Sequence, residues 1–178
     1  MKKTFICILL IAAIAGIALA FGGNNAQAAE RGEYLRVHIR ANSNGEEDQR
    51  VKYIVRDGVV KFLTPFIAQC ETKEEAMQTV KGLLGEAEKQ ADKILREHGF
   101  TYGARASLRQ EEFPTRVYED VTLSAGVYDA LILELGTGEG DNWWCVVYPP
   151  LCFAGGNGNV VYKSKIAEII RNFFGKEN

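Results

Sequence analysis

The sequence predicts a single α+β domain in which amphipathic helices pack on a largely antiparallel sheet, in the order β-α-α-β-β-β-β-α. Three observations predict it. A strand-like alternation near residue 35 leads into two helical stretches, each preceded by a capping pattern. The hydrophobic period changes from helical to alternating after Gly99, and the strands that follow run together. A repeating βα order is thereby excluded.

Residues 34–41 alternate, with Leu35, Val37, Ile39 and Ala41 on one side and Tyr34, Arg36, His38 and Arg40 on the other, which reads as a half-buried strand. Asn42-Ser43-Asn44-Gly45 is a turn, and Ser43 with Glu46 makes a capping-box pattern opening the first helix. Its apolar stripe is Val51, Ile54, Val55, Val59, Phe62, Leu63 and Phe66, and Pro65 ends or kinks it. Gly58 inside the helix costs about 1 kcal/mol relative to alanine unless close packing makes use of it.

Thr72 with Glu75 opens a longer helix, striped by Ala76, Met77, Val80, Leu83, Leu84, Ala87, Ala91, Ile94 and Leu95. His98-Gly99 stops it, with a cation-capable residue and a glycine in their favoured places. Next, Tyr102, Ala104, Ala106 and Leu108 alternate as a strand, and Phe113-Pro114-Thr115 interrupts. Residues 117–123 hold a short strand and residues 127–135 a longer one. A loop, Gly136-Thr137-Gly138-Glu139-Gly140, precedes a strand at residues 143–148. From about Ser164, the residues Ile166, Ile169, Ile170, Phe173 and Phe174 mark a final helix.

At the other end, Met1-Lys2-Lys3, an apolar run to Phe21 and Ala26-Gln27-Ala28-Ala29 read as a secretory leader over residues 1–28. An uncleaved membrane anchor is the alternative. Residues 29–33 are then a short linker and residues 34–178 one globular domain, large enough for a core of its own. The domain is expected to work outside the membrane, secreted or held by its N-terminal segment.

The chain carries 21 Lys+Arg against 23 Asp+Glu, a net charge of −2 that becomes −4 when Lys2 and Lys3 leave with the leader. No basic run is present, which argues against nucleic acid as a partner. Cys7 leaves with the leader, so Cys70, Cys145 and Cys152 remain. In an export compartment Cys145 and Cys152 are the natural pair, closing a loop around Pro149-Pro150; two reduced, buried thiols are the alternative.

Candidate chemistry is sparse. The glycine loop at Gly136, Gly138 and Gly140 is followed by a strand, whereas a phosphate cradle needs a helix N-terminus there; a flexible hairpin loop is the better reading. A thiol-dependent hydrolase using Cys145 or Cys70 needs a histidine base, and only His38 and His98 are available. His98 reads as a helix-end residue and His38 as a solvent-facing one between two arginines. Metal-binding spacings are absent and no cofactor or small-molecule substrate is expected. Glu111-Glu112 and Glu119-Asp120 read as loop solvation.

Both tryptophans, two prolines and two cysteines fall within Gly140-Asp141-Asn142-Trp143-Trp144-Cys145-Val146-Val147-Tyr148-Pro149-Pro150-Leu151-Cys152-Phe153. Trp143 and Trp144 are strand neighbours, so one ring enters the core and the other points to the opposite face. Trp143, Trp144, Tyr148, Pro149, Pro150 and Phe153 have the composition of a docking surface, unless the last helix covers it. A cell-wall-binding module, its aromatics stacked on sugars, is a further alternative.

Three stretches together resemble the stage II sporulation protein R family of endospore-forming bacteria. They are Leu35-Arg36-Val37-His38-Ile39-Arg40-Ala41-Asn42-Ser43 leading to Val55-Arg56-Asp57, Phe113-Pro114-Thr115-Arg116 with Ala125-Gly126-Val127-Tyr128-Asp129-Ala130-Leu131, and the segment from Asn142 to Phe153. Asn44 stands where an aspartate is expected and Gly58 where a helix former is usual. The resemblance implies a protein made in the forespore and exported into the space between the forespore and mother-cell membranes. It implies a partner, a membrane-embedded aspartic protease that processes the sigma-E precursor, and an activator that is not itself an enzyme. On this reading His38 and Asn42 join the six aromatic and proline residues as candidate partner-binding positions.

Overall fold

The structure is a computed structural model, and it describes residues 32–118, 121–153, 167–172 and 175. The leader, Glu119-Asp120, Ser164, Ile166, Phe173, Phe174 and the side chain of Phe153 lie outside the described residues.

Strand β1 (Leu35–Arg40) feeds through a short turn into helix α1 (Glu46–Ile67), and α2 (Lys73–Glu97) returns beside it. Strands β2 (Ala104–Phe113), β3 (Arg116–Tyr118), β4 (Val121–Leu123), β5 (Gly126–Leu135) and β6 (Asn142–Tyr148) follow, with a 3-10 turn at Leu151–Phe153. A further helical stretch covers residues 167–172. The α+β class and the helices on a largely antiparallel sheet are as the sequence predicts.

The main sheet has the order β2-β5-β1-β6. β2 with β5 and β1 with β6 are antiparallel, while β1 with β5 is parallel. The parallel pair exists because both helices are spent in the crossover between β1 and the rest of the sheet. β3 and β4 pair only with each other, as a hairpin. The glycine loop is therefore not a hairpin loop, since β1 lies between β5 and β6.

One face of the sheet carries the helices. Val51, Val55, Val59, Leu63 and Ile67 of α1 and Ala76, Val80, Ala91 and Leu95 of α2 close over Leu35, Val37, Ile39, Leu131, Leu133, Cys145 and Val147. Helical spacing on the helices and alternation on the strands meet in one core, as binary patterning requires. Gly58 has a packing reason: a methyl there would run into the Ile94 side chain of α2. The described part of the last helix, with Ile169 and Ile170, also joins this side.

The helix starts divide. Thr72 caps α2 as expected, accepting from the Glu75 amide at 3.2 Å. The Ser43–Glu46 box does not form. Gly45 is the N-cap of α1 without a side-chain bond, and the Ser43 hydroxyl instead donates to Asp48 at 2.5 Å. Asp48 also accepts from Asn42 Nδ2 at 2.8 Å and from the Tyr102 hydroxyl at 2.5 Å.

Candidate functional site

Strict alternation along β1 decides the site. With Leu35, Val37 and Ile39 committed to the helix side, Arg36, His38 and Arg40 rise on the opposite face. β6 sets Val146, Trp144 and Asn142 beside them in register, and β5 sets Ala130, Ile132 and Glu134. β2 contributes Arg109, Glu111 and Phe113 from one strand further out. The β3–β4 hairpin lies over this face, with Leu123 buried against it and Tyr118 and Val121 packed alongside.

The stripe is graded from dry to charged. Arg36 is fully buried, its guanidinium 4.4 Å from the Phe113 ring centroid, 4.8 Å from Tyr128 and 5.5 Å from Tyr118. It donates through Nε to the Cys145 carbonyl at 3.1 Å and through Nη2 to the Tyr118 hydroxyl at 2.8 Å, while Nη1 has no partner. No carboxylate pairs with it among the described residues. Burial lowers its pKa, partly offset by the Tyr118 and Tyr128 phenols.

His38 is 3% exposed, so the solvent-facing reading of this residue is corrected. The polar side of β1 is not the wet side, because the hairpin and the β6 aromatics cover it. The imidazole stacks on Trp144 with 5.3 Å between centroids and meets Phe113 edge-on at 5.9 Å. Nδ1 lies 2.7 Å from Glu111 Oε1, and Nε2 is buried without a partner. Burial lowers the His38 pKa, opposed in part by hydrogen bonding to Asn142 and Glu111, which leaves the ring neutral with Nδ1–H donating to the carboxylate.

Arg40 closes the charged end, bonding Glu111 and, at 3.1 Å, Glu134. Arg109 meets both carboxylates at 3.2 and 3.1 Å. Burial alone would raise the Glu111 carboxyl, but the bonds from His38 and Arg40 outweigh it and hold it below the usual range. Glu111, read from the sequence as loop solvation, is thus the hub of the network. The missed signal is register: β2 is longer than its alternation predicts and carries Glu111 across to β1's polar side.

The two tryptophans divide as expected. Trp143 packs against the helix-side core with Arg56 over its ring at 5.5 Å, and Trp144 lies on the hairpin face with Arg116 over it at 4.2 Å. The described part of the last helix covers the Trp143 side, not the Trp144 side.

Cys145 and Cys152 are joined, their Cα atoms 6.2 Å apart, within the range a disulfide spans. Cys152 Sγ accepts from the Val146 amide at 3.3 Å, the Tyr148 hydroxyl donates to the Glu71 carbonyl at 2.5 Å, and the Tyr148–Pro149 peptide is cis. Tyr148, Pro149 and Pro150 are buried, so they shape the segment and do not project from it. Asn42 is likewise engaged, accepting from the Thr137 amide at 3.0 Å and so pinning the glycine loop.

Neither cysteine of the hydrolase alternative is an available thiolate. Cys145 is bonded, and burial raises the pKa of the free Cys70, whose Sγ faces Phe66 O and Thr79 Oγ1. Among the described residues there is no group of three or more His, Cys, Asp or Glu able to hold a metal ion.

A single α+β domain, helices on one face of a mixed sheet and a buried arginine–histidine stripe on the other, carries all three sequence stretches that the resemblance rests on. The family model of stage II sporulation protein R matches residues 31–157, and the chain belongs to that family. It is 33% identical over 177 residues to the stage II sporulation protein R of Bacillus subtilis (strain 168), covering 94% of this chain and 79% of that one. No solved structure gives a significant match.

Proposed function

We propose that this chain is an exported intercellular signal of sporulation that binds and activates a membrane-embedded aspartic protease, which then processes the sigma-E precursor in the mother cell. The family match across residues 31–157 carries the reading. A disulfide at Cys145–Cys152 suits a chain that works outside the reducing cytoplasm, between the two membranes.

In this reading β6 is the docking element. Trp144, half-buried under Arg116, is the aromatic that meets the partner. His38 holds its ring from beneath, Tyr148, Pro149 and Pro150 with the disulfide set the shape of the segment, and Asn42 fixes the loop that leads into it. Trp143 and Phe153 complete the segment. Activation follows if the protease's active arrangement binds this surface more tightly than its resting one.

The test is co-expression of this chain, the candidate protease and the sigma-E precursor in a host that does not sporulate. Cleavage that requires both proteins supports the proposal. Cleavage independent of this chain, or none with all three present, overturns it.

A further inference from the structure

A fully buried guanidinium without a carboxylate is an expensive arrangement. Desolvating a charge costs several kcal/mol, and it is offset well only when every donor is used and an anion is near. Arg36 has three aromatic faces, hydrogen bonds to the Cys145 carbonyl and the Tyr118 hydroxyl, and support from the Tyr128 hydroxyl, but its Nη1 is unpartnered. Two other buried polar atoms on the same sheet face are also unpartnered: His38 Nε2 and Trp144 Nε1. All three residues sit on the adjacent strands β1 and β6, Trp144 directly opposite His38, and Phe113 touches both Arg36 and His38. Of the three, Arg36 Nη1 and Trp144 Nε1 are donors, so unused donating capacity is concentrated in one place, while neutral His38 offers an acceptor.

The element above it is a small hairpin outside the main sheet. β3 and β4 are three residues each, hydrogen-bonded as strands only to one another, and Tyr118 of β3 supplies the hydroxyl that Arg36 now uses. A neutral phenol is a weaker partner for a guanidinium than a carboxylate is.

We infer that Arg36, with the indole N–H of Trp144, forms a covered receptor for a carboxylate, which an acidic side chain of a bound polypeptide supplies as the β3–β4 hairpin shifts. Arg36 provides the charge and the planar fork, and Trp144 provides a neutral donor. Among the described residues no carboxylate is left over to supply the anion: Glu111 and Glu134 are held by Arg40 and Arg109 at the far end of the stripe. The site does not depend on which protein supplies the carboxylate, so it stands or falls separately from the protease reading.

The Trp144 indole N–H gives its own resonance in a nitrogen-15 correlation spectrum of the purified full chain, with Trp143 as an internal control. Three additions are compared at matched ionic strength: a blocked glutamate peptide, its glutamine counterpart, and acetate. A saturable shift of Trp144 with the glutamate peptide, absent with glutamine, supports the site. A response to acetate weaker than to the peptide assigns the carboxylate to a polypeptide. An acetate response equal to the peptide's, an equal glutamine response, or no Trp144 shift overturns the proposal. Arg36→Gln should weaken the glutamate peptide by about tenfold or more, the loss expected for a hydrogen bond to a charged group, with Arg36→Lys intermediate. The glutamate–glutamine comparison decides on the native chain even where a variant does not fold.

Discussion

His38 on β1 and Trp144 on β6 are register partners whose rings stack with 5.3 Å between centroids and 26° between planes. That contact joins the charged stripe to the tryptophan segment, so the two cannot be perturbed independently. Aromatic pairs of this kind contribute roughly 0.5–1.5 kcal/mol beyond the area they bury.

The two tryptophans should separate stability from signalling. Trp143→Ala removes a ring packed on the helix-side core and should cost about 3 kcal/mol in denaturant melts. Trp144→Ala loses mainly the His38 stack and the Arg116 contact and should cost about 1–2 kcal/mol, leaving a folded chain that no longer triggers precursor cleavage. If both variants fold and still trigger cleavage, docking through this segment is wrong.

Acid should destabilise the domain in two stages. Burial keeps His38 neutral in the folded chain, so the unfolded chain takes up the proton first as pH falls. Its contribution is complete above pH 6.5, the ordinary imidazole value, and declines below it. Glu111, held below its ordinary 4.5, contributes above that value and is lost only in stronger acid. Melting temperature against pH should therefore begin to fall near neutrality, and His38→Phe should remove the first decline and shrink the second, because His38 is one of the two residues that hold the Glu111 carboxyl low.

Apart from Cys7, which lies outside the described residues, the native chain should show no fast-reacting thiol. Cys145 and Cys152 are bonded, and Cys70 is buried with a raised pKa, so it should label only on unfolding. Replacing both Cys145 and Cys152 by serine should lower stability by about 2–3 kcal/mol on the loop-entropy account. Two fast-reacting thiols in the exported protein would contradict the bridge.

The turn between β1 and α1 should be sensitive out of proportion to its exposure. Asp48 accepts from Asn42, Ser43 and Tyr102, and its carboxyl is held low: burial would raise it, but these bonds prevail. Asp48→Ala should cost about 2–3 kcal/mol by stranding three donors. At Gly140 a side chain would collide with the Ser43 backbone, so Gly140→Ala should also destabilise, read in the same melts.

Much of the frame is legible in local pattern. Helical spacing in residues 51–66 and 76–95, the Thr72 cap, the His98-Gly99 stop and the opposite faces of Trp143 and Trp144 all follow from one stretch of chain at a time. The Ser43 cap is not seen because the helix begins at Glu46 with Gly45 as its N-cap, and the Ser43 hydroxyl joins the Asp48 cluster that Tyr102 completes from far along the chain.

Sequence alone determined the α+β class and the family, since these depend on periodicity and motif order; it made Cys145 and Cys152 the natural pair, and the structure joins them. Only the tertiary structure decided which polar residues are buried. Arg36-His38-Arg40 looks like a solvated edge until β5 and β6 flank β1 and the β3–β4 hairpin covers it. Burial is a property of neighbours, and the neighbours of β1 lie about a hundred residues away. Those strands make a buried aromatic and ionic site of one basic strand, and they hold Trp144 against His38.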